Sequence, residues 1–162
     1  MAISSVVKNF RDGTLTIEDG TSGTALDVVV QYEAGDFSLS GLTAGQKEVT
    51  TYMDRGDLGS VRHTNQTFPS VSFTAHMTDI SDGSEETLPD ILLKQGSKAA
   101  AVSTLGANAD VYTVKLTWSI AEPGAAAHTV VLDDVYCSLD MSEGDPSSFS
   151  ISGTVYGSIT MT

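Results

Sequence analysis

The side chains able to do chemistry are few and scattered. His63, His76 and His128 are the three histidines, and none stands at metal-ligand spacing from another His or from Cys137, the single cysteine. His76 falls on the polar side of an alternating stretch, a position for a surface or interface residue. Cys137 falls on an apolar side, where a thiol behaves as a small core residue. Asp79, Asp82 and Glu85 gather around Gly83, but their spacing departs from that of an EF-hand loop. Glu143-Gly144-Asp145-Pro146 brings two carboxylates together, yet Gly and Pro mark it as a turn with solvated acids. Gln95-Gly96-Ser97-Lys98 lacks the upstream glycine and strand of a phosphate loop. Asn65-Gln66-Thr67 fits a glycosylation sequon, but the opening MAISSVVKNFRDG has no basic n-region or long apolar run, so no secretory leader is expected. No nucleophile, base and orienting group can be assembled. The expectation is a protein that is not an enzyme, with no catalytic residues, no metal and no cofactor.

Composition sets the class. The chain has 162 residues, enough for one domain with a core of its own, and one cysteine allows no intrachain disulfide. It carries 21 acidic and 8 basic residues, net −13. That balance argues against nucleic-acid binding, which needs Lys and Arg against phosphates. It suits either plain solubility or a surface that nucleic acid passes without sticking. No run of 18 apolar residues occurs, so no membrane-spanning helix is expected.

Period-two alternation dominates the pattern. Val111–Ile120 places Tyr112, Val114, Leu116, Trp118 and Ile120 on one face and Thr113, Lys115, Thr117 and Ser119 on the other. Phe149–Met161 alternates in the same way against Ser150, Ser152, Thr154, Tyr156, Ser158 and Thr160. In 67–78, Val71, Phe73, Ala75 and Met77 oppose Ser70, Ser72, Thr74, His76 and Thr78. Short strands are expected at Thr14–Glu18, Ala25–Glu33, Phe37–Leu39 and Lys47–Met53, the second and third joined as a hairpin through Ala34-Gly35-Asp36. His128–Met141 changes phase at Asp133-Asp134, which predicts a β-bulge. One helix is expected over 87–95, with Thr87 as cap, Pro89 in the first turn and Gly96 beyond the last. The fold class is therefore mainly β: an antiparallel β-sandwich or barrel-like subunit with one short flanking α-helix, a single domain over 1–162.

Two features bear on function. The polar strand faces consist of Ser and Thr instead of Lys and Glu, which suits packing against copies or lining a smooth channel better than a free surface. Residues 54–66, DRGDLGSVRHTNQ, read as a long exposed loop. Its charges, Arg55, Asp57 and Arg62 among them, are either solvated on a mobile loop or placed to meet an acidic neighbour.

The order of elements, with the phrases Tyr52–Gly56, Leu88–Leu93, Val131–Val135 and Glu143–Phe149, resembles the major tail tube proteins of tailed bacteriophages, whose fold is similar to the tube protein of type VI secretion. The resemblance spans most of the chain and rests on no invariant catalytic motif. It implies hexameric rings whose inner sheets join into a continuous β-barrel. These rings stack into a hollow conduit through which DNA passes without specific binding. It implies contacts with other tail proteins (terminator, baseplate or tip, tape measure and sheath), a place in the virion tail after assembly in the host cytoplasm, and no membrane. Ring-to-ring contacts then map to the arm 1–13, with Phe10 and Arg11, and to the loop 54–66, with Arg55, Asp57 and Arg62. The lumen or subunit seam maps to Ser70, Ser72, Thr74, Thr113, Lys115, Thr117, Ser150, Ser152 and Thr154. Two alternatives stand beside the tube: a β-sandwich binding module of carbohydrate-binding or adhesin type, and another tail component such as a terminator.

Overall fold

The computed structural model describes residues 13–23, 25, 27–30, 36–81, 84–120 and 127–162. Its strands are β1 (Gly13–Glu18), β2 (Asp27–Val30), β3 (Ser38–Ser40), β4 (Lys47–Asp54), β5 (Asp57–Gln66), β6 (Ser70–His76), β7 (Val114–Ile120), β8 (His128–Ser142), β9 (Ser148–Val155) and β10 (Ile159–Met161), with one α-helix, α1 (Leu88–Leu93). Eight strands form one antiparallel sheet in the order β2-β1-β7-β8-β9-β6-β3, with β10 also on β8; β4 and β5 form a separate two-stranded sheet.

The long strand β8 organises the sheet. Its first half pairs with β7 and β10, and its second half pairs with β9. The switch falls at the sequence's phase break. Leu116 stands opposite Leu132 and Val114 opposite Val135, so β8 carries one extra residue there, and Asp134 sits at φ 52°. This is the expected bulge, and it returns Val135 and Leu139 to the side that Val130 and Leu132 face. The two halves of the sheet thereby enclose one core. Leu15, Ile17 and Leu116 come from one half, Phe73, Phe149 and Ile151 from the other, and all are buried. Phe37 stacks on Trp118 at 4.5 Å and lies 6.3 Å from Phe73, closing one gap between the halves.

The helix closes another. Thr87 Oγ1 accepts from the Asp90 amide at 3.3 Å, as its cap role requires, and Leu88, Ile91 and Leu92 are buried. The helix stops at Leu93, short of 95, because Lys94 takes the left-handed conformation two residues before Gly96.

Two expectations change. The strands β2 and β3 form no hairpin: β2 pairs with β1, β3 pairs with β6, and they lie at opposite edges of the sheet. Residues 54–66 are no loop. Ten of them are β5, paired along β4 through a two-residue turn, Arg55-Gly56, with φ 50° and 94°. Gly56 supplies the positive φ a tight hairpin needs, and Arg55 adopts it too. The alternation was masked because a register shift at Tyr52/Met53 leaves Gly59 as an extra residue between Leu58 and Ser60.

Candidate assembly surfaces

Two surfaces stand out, and neither resembles a reaction centre. The first is the outward face of β3, β6, β9 and the second half of β8. Register aligns its side chains into rows across the strands. Ser38, Ser72, Ser152 and Ser138 form one row; Ser40, Ser70, Thr154 and Tyr136 the next. Thr74, Ser150 and Asp140 follow, then His76, Ser148 and Ser142. Hydroxyls bridge neighbouring strands: Ser138 Oγ lies 2.7 Å from Ser152 Oγ, and Ser40 Oγ 2.8 Å from Ser70 Oγ. These short side chains bind one another across the strands, and the face is nearly uncharged, with Asp140 its single carboxylate in these rows.

Six of the candidate face residues (Ser70, Ser72, Thr74, Ser150, Ser152 and Thr154) come together here. Three do not. Lys115 and Thr117 lie on the other half of the sheet, opposite Glu18 and Thr16, and Lys115 Nζ pairs with Glu18 at 2.6 Å. Thr113 is a correction. It precedes β7 and is fully buried, its Oγ1 3.0 Å from Ser103 Oγ and 2.8 Å from Thr104 Oγ1. Alternation places Thr113 outward only if the strand continues through it, and the strand begins at Val114.

This four-stranded region has two open edges. Among the described residues, β3 pairs only with β6, and β8 from Tyr136 to Ser142 pairs only with β9. Unpaired edges offer backbone donors and acceptors to another chain.

The second surface is the β4–β5 hairpin. It leaves the sheet where Thr67 N–H donates to Gln46 O at 2.9 Å and Pro69 O accepts from Val155 N–H at 2.9 Å. Cross-strand pairing puts Val49, Thr51, Met53, Leu58, Val61 and His63 on one side, and Thr50, Tyr52, Ser60 and Arg62 on the other. The apolar side faces solvent: Met53 is 61% exposed and Leu58 62%. Arg55 stands in the turn between the paired Asp54 and Asp57, and Arg62 lies along the polar side. A lone two-stranded hairpin is marginal in water, and exposed apolar side chains on one face mark an interaction site. The hairpin was hidden in the sequence; Leu58 and Val61, three apart, break the alternation that would have revealed it. Phe10 and Arg11 lie outside the described residues.

Sequence reasoning also missed an aromatic group. Phe68 packs edge-on against Tyr156 at 5.0 Å, and Tyr156 joins Tyr136, Leu105 and Val111 around an open cleft of about 550 Å³. Tyr112 lines the same cleft, its hydroxyl donating to Ile91 O at 2.8 Å; burial first, then the Asp19 charge, raises its phenol above the usual range.

The potentially reactive groups stay apart. Burial pushes the Cys137 thiol up to about 12, leaving no thiolate for nucleophilic work at neutral pH. Among the described residues no three His, Cys, Asp or Glu side chains gather as a metal site, and no helix is long and apolar enough to cross a membrane.

No family model matches the chain, and no curated protein matches it. Among solved structures, it is similar over 99% of its length, and 99% of the other chain, to a chain of an extracellular contractile injection system seen by cryo-electron microscopy, described as the PVC sheath/tube terminator in the extended state. The TM-score is 0.61 at 13% identity, so what the two chains share is the fold.

Proposed function

We propose that this chain is a structural subunit of a phage-tail or injection-system tube, built from stacked rings of six copies. The observation that carries this reading is the four-stranded region with a nearly uncharged, Ser/Thr-rich outer face and two open edges. Pairing β3 of one copy within Tyr136–Ser142 of the next would join these sheets into a closed barrel, using the whole β3 edge and part of the longer β8 edge. The rows from Ser38 to Ser138 would then line the lumen. A wall of mutually bonded hydroxyls offers a passing polyanion no cations, so DNA would move through without specific binding. The β4–β5 hairpin, with Arg55, Asp57 and Arg62, would make ring-to-ring contacts. Terminator, baseplate and tape-measure proteins are the further partners this role requires, with a sheath where the tail is contractile.

Negative-stain electron microscopy of the concentrated protein tests it. Rings or hollow tubes of uniform diameter are the expected result. A field of monomers at every concentration would remove the ring reading.

A second reading, a ring that caps the tube, is favoured by the terminator description of the structural neighbour. Copy number per particle separates the two: a tube subunit is abundant, whereas a cap contributes one ring.

A further inference from the structure

Asp90 is fully buried, and neither of its carboxylate oxygens has a hydrogen-bond partner among the described residues. Its backbone is fixed at both ends of α1. The amide donates to Thr87 Oγ1 at 3.3 Å, and the carbonyl accepts from Gln95 N–H at 3.0 Å. The two lysines that follow it in sequence are engaged elsewhere: Lys94 lies 5.4 Å over the Tyr112 ring, and Lys98 pairs with Glu86 at 2.7 Å. A buried carboxylate in this state is costly until a cation or a donor reaches it.

The carboxylate faces a gap between two loop segments. A Cβ on Gly96 would lie 2.6 Å from Asp90 Oδ1, 2.6 Å from Asp90 Oδ2 and 2.6 Å from Ser81 Oγ. Three oxygens thus converge beside Gly96, and the absence of a side chain there leaves room for them. Ser81 and Gly96 are both exposed, so the gap is reached from solvent on their side. The segments are tied together around it: Ser97 Oγ donates to Glu85 O at 3.2 Å, and Thr87 Oγ1 donates to Ile80 O at 3.2 Å. The loop that supplies Ser81 also carries Asp79, Glu85 and Glu86, all exposed acids.

We propose that Asp90 and Ser81 hold a calcium ion at the mouth of this gap. The ion sits on the Ser81 side, clear of the Gly96 Cα, with water completing its shell and the acids of the loop adding negative potential. Calcium suits an all-oxygen set of this kind, because it takes roughly six to eight oxygens in loose geometry at about 2.3–2.6 Å. A single carboxylate with a hydroxyl places the site in the weak class, with a Kd of about 1 mM. The bound ion neutralises Asp90 and ties the acidic loop to the end of α1. Binding belongs to the single subunit and needs no ring.

Thermal unfolding of the subunit tests it, with calcium chloride compared against sodium chloride at matched ionic strength after treatment with EDTA. About 10 mM calcium should raise the wild-type Tm by about 4 °C over the sodium control. Calorimetric titration should find one ion per chain. Asp90→Asn should lose the shift. Ser81→Ala, at an exposed position, should keep the fold and weaken calcium binding at least about threefold. A wild-type chain with no calcium-specific shift would overturn the site. A shift that Asp90→Asn retains would do the same, since it would report only screening of the net −13 charge. If Asp90→Asn does not fold, Ser81→Ala decides, and unchanged calcium affinity in that variant overturns the site.

Discussion

The amide of Gly157 donates to the carbonyl oxygen of Asp133 at 3.1 Å, and a Cβ on residue 157 would lie 2.6 Å from that same oxygen. The contact locks the bulge in β8 against the bend between β9 and β10. Tyr156 N–H donates to Asp134 O at 3.1 Å beside it, and Thr104 Oγ1 donates to Asp134 Oδ1 at 2.7 Å. Two strand interruptions, distant in sequence, are therefore one joint. Gly157→Ala forces backbone apart at this joint and should cost about 2 kcal/mol of stability, read from urea unfolding. Ser158→Ala, which removes only a surface hydroxyl bond to Asp133, should cost less than about 1 kcal/mol.

The hairpin should be separable from the fold. Val49→Ser with Leu58→Ser removes apolar side chains that touch water in the isolated subunit. Its unfolding free energy should change by less than about 0.5 kcal/mol. Assembly into stacks should be lost, as sedimentation would show. Equal loss of thermal stability in the monomeric fraction would mean that the hairpin packs on its own subunit.

The lumen assignment predicts a gain of function. Ser72 stands in the middle of the hydroxyl rows, exposed on the outward face. Ser72→Lys should leave the subunit folded and assembled while adding a ring of cations inside each tube. Such tubes should retain DNA in a salt-dependent way that wild-type tubes do not, measured by co-sedimentation. Retention by monomer as strongly as by tubes would place Ser72 on an outer wall.

The alkaline limb of stability should report Cys137. The folded thiol titrates near 12 against an ordinary value of 9.0, because burial disfavours the thiolate. Above pH 9 the unfolded chain loses a proton that the folded chain keeps, so unfolding becomes easier as pH rises from about 9 towards 12. Below pH 9 this contribution is constant. Cys137→Ala should flatten that slope, and the wild-type thiol should react with a disulfide reagent at pH 8 far more slowly than an exposed cysteine, with urea abolishing the difference.

The sequence by itself determined most of the strands, the helix cap and the bulge. Each depends on neighbours along the chain: alternation in Ser70–His76, the Thr87 hydroxyl three residues before Asp90, and the phase change at Asp133-Asp134. Pairing was a different matter. That β2 and β3 part to opposite edges and that Ser38, Ser72, Ser152 and Ser138 share one row follow from register between segments up to about eighty residues apart, and local periodicity carries no register. The hairpin was lost for the same reason. One extra residue at Gly59 inverted the apparent faces of β5, and only pairing with β4 shows that Leu58 and Val61 belong on the side of Met53. The candidate surfaces are products of tertiary structure, because a hydroxyl face and an open edge exist only once the strands have chosen their neighbours.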